Sequence, residues 1–295
     1  MNTFLFVLAL TLCIVPAFAA TTQRPPITGV AYVRIYTNDP DASHKYYAER
    51  IQLPEVPCAI AGCRQYQVGK FQYVQVVKAN GEVNGMNVVA FQTSDAEALR
   101  KYLAAHNVTV PAKLQHNSDG SREFQITDAE GHRVAFVQNG KGSDKQGAIS
   151  HRLLHAGFVV KDRATMDRFY KDVLGFRAYW AGGHKDDHPI WISQQVPNGT
   201  DWLEFMLDIP PDASHRALGV QNHFCLGIAD IKQAESGLEK SGWKPTDREH
   251  AQLARDGKWQ LNTYDPDDVR VEFMEFKPVQ KPCCSDFTAA HPEAD

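Results

Sequence analysis

Two histidine–glutamate pairs recur at the same spacing in the second half of this 295-residue chain. Glu204 follows His155 by 49 residues, and Glu272 follows His223 by 49 residues. Each histidine opens an apolar, strand-like run, and each glutamate lies inside another such run. Neutral imidazoles and carboxylates together bind borderline divalent cations. The matched spacing therefore predicts one metal site, at His155, Glu204, His223 and Glu272, that is built across a pseudo-two-fold axis.

The elements that must position these side chains form four copies of one unit. Each copy starts with an apolar strand, continues through a polar turn into an amphipathic helix, and ends with two or three short strands. The four helices are expected to start near Asp39, Asp95, Asp162 and Asp230. An Asp at a helix start accepts hydrogen bonds from free N–H groups and favours the positive end of the dipole. Four βαβββ units predict an α+β fold.

Domain boundaries follow from how the units pair along the chain. Two units occupy residues 28–140 and two occupy residues 151–277. Residues 141–150 between them are polar and Gly-rich, as is typical of a linker. A length of 295 residues agrees with two domains. We therefore predict two tandem domains with a metal site in the second.

Composition and charge limit the classes of partner. The chain is 43% hydrophobic and 22% charged, which is ordinary for a globular protein. Its formal net charge is −4, and the basic residues are scattered along the chain. This pattern argues against a nucleic-acid or anionic-membrane partner. The expected partner is a small-molecule substrate, and an oligomer is not excluded.

Residues 1–20 are predicted to be an export signal. An apolar run from Phe4 to Val15 precedes Ala17-Phe18-Ala19, which fits a small-residue cleavage site. The run is shorter than the roughly 20 apolar residues that span a bilayer. No Lys or Arg precedes it, so an uncleaved anchor is the alternative. The preferred interpretation is a periplasmic or extracellular protein without stable membrane association after cleavage.

The cysteines receive three different predictions. Cys58 and Cys63 are close in sequence and could pair in an oxidising compartment. Cys225 lies in an apolar run and is expected to be a buried, inert thiol. Cys283 and Cys284 are adjacent, and adjacent cysteines rarely bridge each other. Metal binding and a link between two chains are alternatives for this pair, but we expect it to have no role.

The C-terminal segment, residues 278–295, is predicted to be a loosely ordered tail. It has three prolines and little apolar periodicity. Just before the last strands, Arg255, Lys258 and Trp259 are candidates for residues that line the substrate site.

The second half resembles the vicinal oxygen chelate superfamily. The resemblance rests on His155–Asp162 (HAGFVVKD), Phe169–Phe176 (FYKDVLGF) and the closing turn and strand Asp265–Glu272 (DPDDVRVE), where Asp268 stands in place of the usual glycine. The superfamily includes glyoxalase I, extradiol dioxygenases, methylmalonyl-CoA epimerase and fosfomycin- or bleomycin-resistance proteins. The resemblance implies two domains of two units each, both shaped as an incomplete, barrel-like cup. It places metal ligands on the first and last strands of each unit.

Carried over to this chain, those ligand positions are again His155, Glu204, His223 and Glu272. The first half departs from the pattern. Its units place Ala31 or Tyr32, and Asn87 or Val88, at the histidine positions, and Ala135 at the position of Glu272. We therefore predict that the N-terminal glyoxalase-like domain has no metal ligands.

Among the activities of the superfamily, the sequence favours a glyoxalase-like lyase or isomerase. In this chemistry Glu204 and Glu272 are the catalytic bases, and one of them moves a proton alpha to a carbonyl. The cofactor is a divalent metal ion: Fe²⁺, Mn²⁺, Zn²⁺ or Ni²⁺. Glutathione and coenzyme A are mainly intracellular, so a substrate that carries either fits poorly with export.

An extradiol, catechol-cleaving dioxygenase is the alternative. It would use His155, His223 and Glu272 as ligands of Fe²⁺ or Mn²⁺, and an inactive first domain before an active second one is the layout of such enzymes. Dioxygenases of the family also carry a His and a Tyr near the last strand, and these are poorly matched. Asn262 stands at the position of the tyrosine, and Tyr264, two residues later, would face the same side of a regular strand. His250 and His215 lie nearby in sequence, but at unfamiliar spacing. A resistance-type protein that only binds a small molecule is the second alternative.

Overall fold

Two eight-stranded, curled sheets with the same strand order form the protein, as a computed structural model describes it over residues 23–246 and 249–294. The predicted signal, residues 1–20, lies outside the described residues. The first sheet contains β1 (Ile27–Thr37), β2 (Glu55–Val56), β3 (Cys63–Gly69), β4 (Gln72–Lys78), β5 (Gly85–Thr93), β6 (Gln115–His116), β7 (Arg122–Thr127) and β8 (Arg133–Gln138). The second contains β9 (Arg152–Val159), β10 (Arg177–Gly182), β11 (Trp191–Gln195), β12 (Trp202–Met206), β13 (Phe224–Ile228), β14 (Gln252–Leu253), β15 (Trp259–Tyr264) and β16 (Arg270–Glu275).

The strand order shows the predicted repeat directly. It is β2-β3-β4-β1-β5-β8-β7-β6 in the first sheet and β10-β11-β12-β9-β13-β16-β15-β14 in the second. In each sheet the first strands of the two units, β1 and β5 or β9 and β13, are antiparallel neighbours. Each first strand also pairs in parallel with the last strand of its own unit. The α+β class and the two tandem domains of βαβββ units are confirmed.

The four predicted helices begin directly after the aspartates that were expected to cap them. The helical segments are α1 (Pro40–His44), which continues as a π-helix over Lys45–Arg50, α2 (Ala96–Ala105), α3 (Arg163–Asp167), which continues as a π-helix over Arg168–Val173, α4 (His215–Gln221) and α5 (Ile231–Lys240). The carboxylates of all four predicted caps, Asp39, Asp95, Asp162 and Asp230, accept backbone hydrogen bonds from the first turn. Among the described residues, no helix is long and apolar enough to cross a membrane.

The cysteine predictions have mixed outcomes. Cys58 and Cys63 form a disulfide, and Cys225 is a buried free thiol, as predicted. The prediction for Cys283 and Cys284 is wrong, because they are bonded to each other. Their Cα atoms are 3.8 Å apart, as neighbouring residues must be, and the tail around them packs against the second domain instead of leaving them free.

The two domains share one main hydrophobic core and several buried polar contacts. Tyr47, on the π-helical segment of the first domain, donates a 2.7 Å hydrogen bond to Asp265 Oδ2 in the second. The other oxygen of Asp265 accepts hydrogen bonds from the backbone N–H groups of Asp267 and Val269. Asp268 in this turn has φ +66°, a left-handed conformation that Asp tolerates better than most residues. The turn immediately precedes β16, so this contact holds the strand that carries Glu272.

Tyr47→Phe tests this contact between the domains. Because the substitution leaves a buried carboxylate oxygen without its donor, we expect the free energy of unfolding to fall by about 1–3 kcal/mol. Urea denaturation followed by circular dichroism measures it. The control is Tyr264→Phe, where a half-buried ring lies under the Arg216 guanidinium. Equal stability of the Tyr47 variant and the parent would show that the bond does not support the closing turn.

Candidate metal centre and cavity

The four predicted ligand residues lie on adjacent strands of the second sheet. His155 is on β9, Glu204 on β12 and Glu272 on β16, while His223 directly precedes β13. The order β12-β9-β13-β16 places these strands side by side. Side chains alternate between the two faces of a strand, and this register turns all four residues toward the concave face. The structure therefore brings together every residue that the spacing selected.

The donor atoms of these residues converge at short range. His155 Nε2 lies 3.1 Å from His223 Nε2 and 3.2 Å from Glu272 Oε2. Glu204 Oε2 lies 3.5 Å from His223 Nε2. His155, His223 and Glu272 are buried, and Glu204 is only slightly exposed. The ligand atoms of His155, Glu204 and His223 all lie within 4.8 Å of one another, as do those of His155, Cys225 and Glu272. His155 therefore joins the two glutamates into one cluster.

The hydrogen bond of His223 indicates which form of the imidazole is present. Its Nδ1 lies 2.8 Å from the carbonyl oxygen of Gln221, and a carbonyl can only accept. The proton therefore lies on Nδ1, and Nε2 directs a lone pair at the cluster, as a metal-binding histidine requires. Imidazole nitrogens and carboxylate oxygens suit Mn²⁺, Fe²⁺, Ni²⁺ or Zn²⁺. The donor set fits the predicted divalent ion.

Electrostatics keep the carboxylates ionised. Burial raises the pKa of Glu272, but the Arg270 guanidinium and the hydrogen bond from His155 outweigh it and lower the pKa to about 2. Burial likewise opposes ionisation of Glu204, while His223 and His155 bring its pKa below the usual value. Burial and Arg270 lower the pKa of His223. Near neutral pH the residues therefore have the charge states that bind a cation.

Gly157 makes room for one of the imidazoles. A Cβ atom at this position would lie 2.2 Å from Cε1 and 2.4 Å from Nδ1 of His223. The backbone N–H of Gly157 also donates a 2.8 Å hydrogen bond to the carbonyl oxygen of His223. The glycine is part of the His155–Asp162 motif, but its spacing alone gives no sign of this steric role.

The strand register shows which residues of the first domain stand at the positions of His155, His223 and Glu272. Tyr32 pairs with Tyr73 as His155 pairs with Trp202, so Tyr32 and not Ala31 stands at the first histidine position. Val88 and Ala135 occupy the positions of His223 and Glu272. None of these three side chains is an imidazole or a carboxylate.

A cavity of about 610 Å³ reaches Glu204 and Glu272. Its lining is rich in aromatic side chains, namely Tyr179, Trp180, Trp191, Trp202 and Phe287. Polar groups on the lining include His184, Ser193, Arg255 and Arg270. Volume and composition are those of a site that takes one small, mostly apolar molecule and orients it with few polar contacts.

The other candidate residues from the sequence lie in different places relative to the cavity. Arg255 lines the cavity, Lys258 is buried beside it, and Trp259 packs against the main core instead. Asn262 is the cross-strand partner of Glu272. Tyr264 is not among the residues that line the cavity.

His250 and His215, the two histidines that the sequence places near the last strands, do not line the cavity. His250 and His215 bind groups away from the cavity: the Glu235 carboxylate and the carbonyl oxygen of Asn84. The histidine and tyrosine that do line the cavity, His184 and Tyr179, were missed. No motif marks them, because a loop and the edge strand β10 bring them there.

The C-terminal segment is part of the cavity wall, so the prediction of a loosely ordered tail is wrong. The Cys283 N–H donates to the carbonyl oxygen of Arg255, in the turn between β14 and β15, and the Cys283 carbonyl accepts from Trp180 Nε1 on β10. Thr288 N donates to the carbonyl oxygen of Tyr179. The tail thus joins the two ends of the curled sheet and carries Phe287 into the cavity.

Fold and site together define a tandem-domain protein whose second domain holds a cluster of candidate metal ligands in a cup. Residues 29–136 and 152–273 match the family model described as Glyoxalase/Bleomycin resistance protein/Dioxygenase superfamily. The chain belongs to this superfamily. The resemblance seen in the sequence is confirmed.

Comparison with solved structures gives dioxygenases of the same fold. Homoprotocatechuate 2,3-dioxygenase from Brevibacterium fuscum, in complex with 3,4-dihydroxyphenylacetate, is 16% identical over 90% of this chain and 84% of that one, with a TM-score of 0.66. The enzyme from Arthrobacter globiformis is 16% identical over 88% and 83%, with a TM-score of 0.66. Such low identity shows the fold alone. A search of curated protein sequences gives no match.

Gly157→Ala tests whether this position holds His223 in place. The new methyl group would overlap the imidazole, so His223 must move, and we expect divalent-metal affinity to fall by at least about tenfold, as when the support of a ligand is lost. Isothermal titration with Mn²⁺ measures it. In the control, Gly237→Ala on α5, the new Cβ lies 3.6 Å from Ile149, an ordinary contact. Parental Mn²⁺ affinity in the Gly157 variant would contradict the packing.

Proposed function

We propose that this protein is an exported, metal-dependent extradiol dioxygenase that cleaves the ring of a small aromatic vicinal diol. The observation that carries the proposal is the cavity: its aromatic walls lead to Glu272 and Glu204, which contact the buried imidazoles of His155 and His223. The sequence alone puts proton-transfer chemistry first. The aromatic wall and the dioxygenases of the same fold favour the reverse order.

In this proposal His155, His223 and Glu272 hold Fe²⁺ or Mn²⁺. When bound, such a metal ion supplies Lewis acidity and open positions for a chelating diol and oxygen. Of the three residues, Glu272 lines the cavity, and His155 and His223 are buried. Their burial keeps competing water away, and the neutral His223 adds no charge to the cluster.

In this proposal, other residues of the cavity orient the substrate and balance its negative charge. Trp180 and Trp191 lie nearly parallel with ring centres 6.5 Å apart, and together with Trp202 they offer flat surfaces to a planar ring. Arg270 places a positive charge beside Glu272, where it can stabilise an anionic diolate. His184 on the wall offers an imidazole that can donate or accept a hydrogen bond to the substrate.

Export is proposed on two independent features. The signal-like residues 1–20 are the first. The second is the pair of disulfides, Cys58–Cys63 and Cys283–Cys284, because disulfides persist mainly in oxidising compartments.

Glu204 favours the second candidate, a glyoxalase-like lyase or isomerase. Its Oε2 lies 3.5 Å from His223 Nε2, and its Oε1 accepts a 2.9 Å hydrogen bond from Ser193. In this position the carboxylate can serve as a fourth metal ligand, or take a proton alpha to a carbonyl in the cavity. A protein that only binds its ligand, the third alternative, needs no metal.

His223→Ala tests the metal centre. We expect the parent to bind about one divalent ion per chain and the variant to lose tight binding, because too few donors remain. Metal analysis after equilibration with Fe²⁺ or Mn²⁺ measures this. The control is His188→Ala, which removes an exposed imidazole paired with Asp208. Full metal occupancy in His223→Ala would refute the centre as described.

Glu204→Gln separates the two enzymatic candidates. For a three-ligand dioxygenase we expect oxygen uptake with catechols to stay within about tenfold of the parent, because no ligand is lost. For a proton-transfer enzyme, turnover of 2-oxoaldehydes or 2-hydroxy acids should fall by about 10²–10⁴-fold, the usual contribution of a positioned base.

Oxygen-electrode and product assays on both substrate panels measure this, with exposed Glu239→Gln as the control. A loss of oxygen uptake beyond 10²-fold would count against the three-ligand dioxygenase.

A further inference from the structure

A fully buried lysine lies beside the metal-ligand cluster. Lys258 has 0% of its surface exposed, and its Nζ lies 4.6 Å from the ring centre of Trp202, 5.2 Å from Phe287 and 5.3 Å from Tyr179. Its polar contacts are long: Nζ donates a 3.4 Å hydrogen bond to the Tyr179 hydroxyl and lies 3.9 Å from Asp256 Oδ2. A buried ammonium is costly unless its surroundings compensate it. The carboxylates of Asp256, Glu272 and Glu204 offset part of this cost. The negative faces of the three aromatic rings around Nζ contribute as well.

One of these rings also supports a candidate metal ligand. Trp202 stacks on the His155 imidazole, with ring centres 4.5 Å apart and an angle of 27° between the planes. The two residues are direct cross-strand neighbours on β12 and β9. Trp202 therefore contacts the ammonium of Lys258 and the imidazole of His155 at the same time.

The two histidines of the cluster are oriented by different means. His223 has its Nδ1 fixed by the carbonyl oxygen of Gln221. Nδ1 of His155 is buried without a hydrogen-bond partner among the described residues. Metal-binding histidines are usually held through that second nitrogen. For His155, the stacked indole is the contact that can fix the ring.

We propose that Lys258 is a positioning residue, whose ammonium holds Trp202 by a cation–π contact so that Trp202 holds His155 in its metal-binding orientation. The inference rests on the metal centre of the proposed function and not on the reaction. It also gives the C-terminal tail a role, because Phe287 supplies one of the three rings around the ammonium.

A positioning role and a purely structural role predict opposite results for Lys258→Met. Methionine fills a similar volume and removes the buried charge. Replacing a buried charge by an apolar group is often neutral or stabilising. If Lys258 positions Trp202, the variant keeps its thermal stability but loses metal affinity. If Lys258 serves only the fold, stability changes and the affinity of the folded protein does not.

The test measures Mn²⁺ affinity of the full-length protein by electron paramagnetic resonance, and unfolding of the metal-free protein by circular dichroism. We expect Lys258→Met to weaken Mn²⁺ binding by about 10–100-fold, the usual effect of losing a support of a ligand. Lys258→Arg keeps a cation that can face the rings, so its affinity should lie between Met and parent. The control is Lys277→Met, which removes an exposed lysine paired with Glu293.

A double-mutant cycle tests the route through the indole. Trp202→Leu alone should weaken Mn²⁺ binding as Lys258→Met does, and the double variant should bind no worse than the weaker single one, because both act through one contact. Losses that multiply would overturn the route. Mn²⁺ affinity of Lys258→Met within twofold of the parent would overturn the proposal.

Three further outcomes distinguish failure of this inference from failure of the proposed function. If Lys258→Met does not fold, Phe287→Leu removes one ring of the same group and must still weaken Mn²⁺ binding, or the proposal fails. A parent that binds no Mn²⁺ refutes the metal centre and this inference together. A parent that binds Mn²⁺, shows the expected losses and yet consumes no oxygen with any catechol supports the positioning role and rejects only the dioxygenase.

Discussion

Strand register is the constraint on which the rest of the second domain depends. The candidate metal centre exists only because β12, β9, β13 and β16 are paired so that two imidazoles and two carboxylates face the same side. Side chains alternate along a strand, so a slip of one residue in β16 would turn Glu272 away from the cup. The closing turn at Asp265 accepts a hydrogen bond from Tyr47 of the other domain. Because this turn lies only a few residues before Glu272, the contact fixes the register of β16 close to that residue.

The first domain shows what the same frame needs when no such site is present. Its strand order is identical, yet Tyr32, Val88 and Ala135 fill the equivalent positions and pack with their neighbours as a small apolar cluster. Beside this cluster the first domain buries the Glu123 carboxylate, which accepts a 3.3 Å hydrogen bond from the Tyr32 hydroxyl and lies 4.0 Å from the Arg34 guanidinium. In the second domain the buried carboxylates are tolerated because the imidazoles and Arg270 compensate them, which is typical of a functional site instead of a structural one.

The spacing and the family motif predicted the four ligand positions because each follows from local sequence. A histidine that opens a strand and a glutamate within one keep their places once strands and helices are known. The cavity wall could not be predicted in this way. Phe287 and His184 reach it only when the two ends of the curled sheet approach and the tail joins them, and such closure leaves no periodic signal in the chain. The bond between Cys283 and Cys284 was not predicted for a different reason, namely that adjacent cysteines rarely bridge each other.

Glu204 is the residue whose role distinguishes a proton-transfer enzyme from a dioxygenase, and its contacts show what each role requires. Ser193 holds one oxygen of its carboxylate, so only the other faces His223. A carboxylate held in this way has little freedom to swing into the cavity while that hydrogen bond persists. Full ligation, or movement as a base, requires the Ser193 bond to stretch or break. A three-ligand dioxygenase needs neither, since Glu204 is not among its ligands. Among the described residues around this cup, the ligand atoms that lie within 4.8 Å of one another are those of His155, Glu204 and His223, and those of His155, Cys225 and Glu272. His155 is therefore the residue that both groups share.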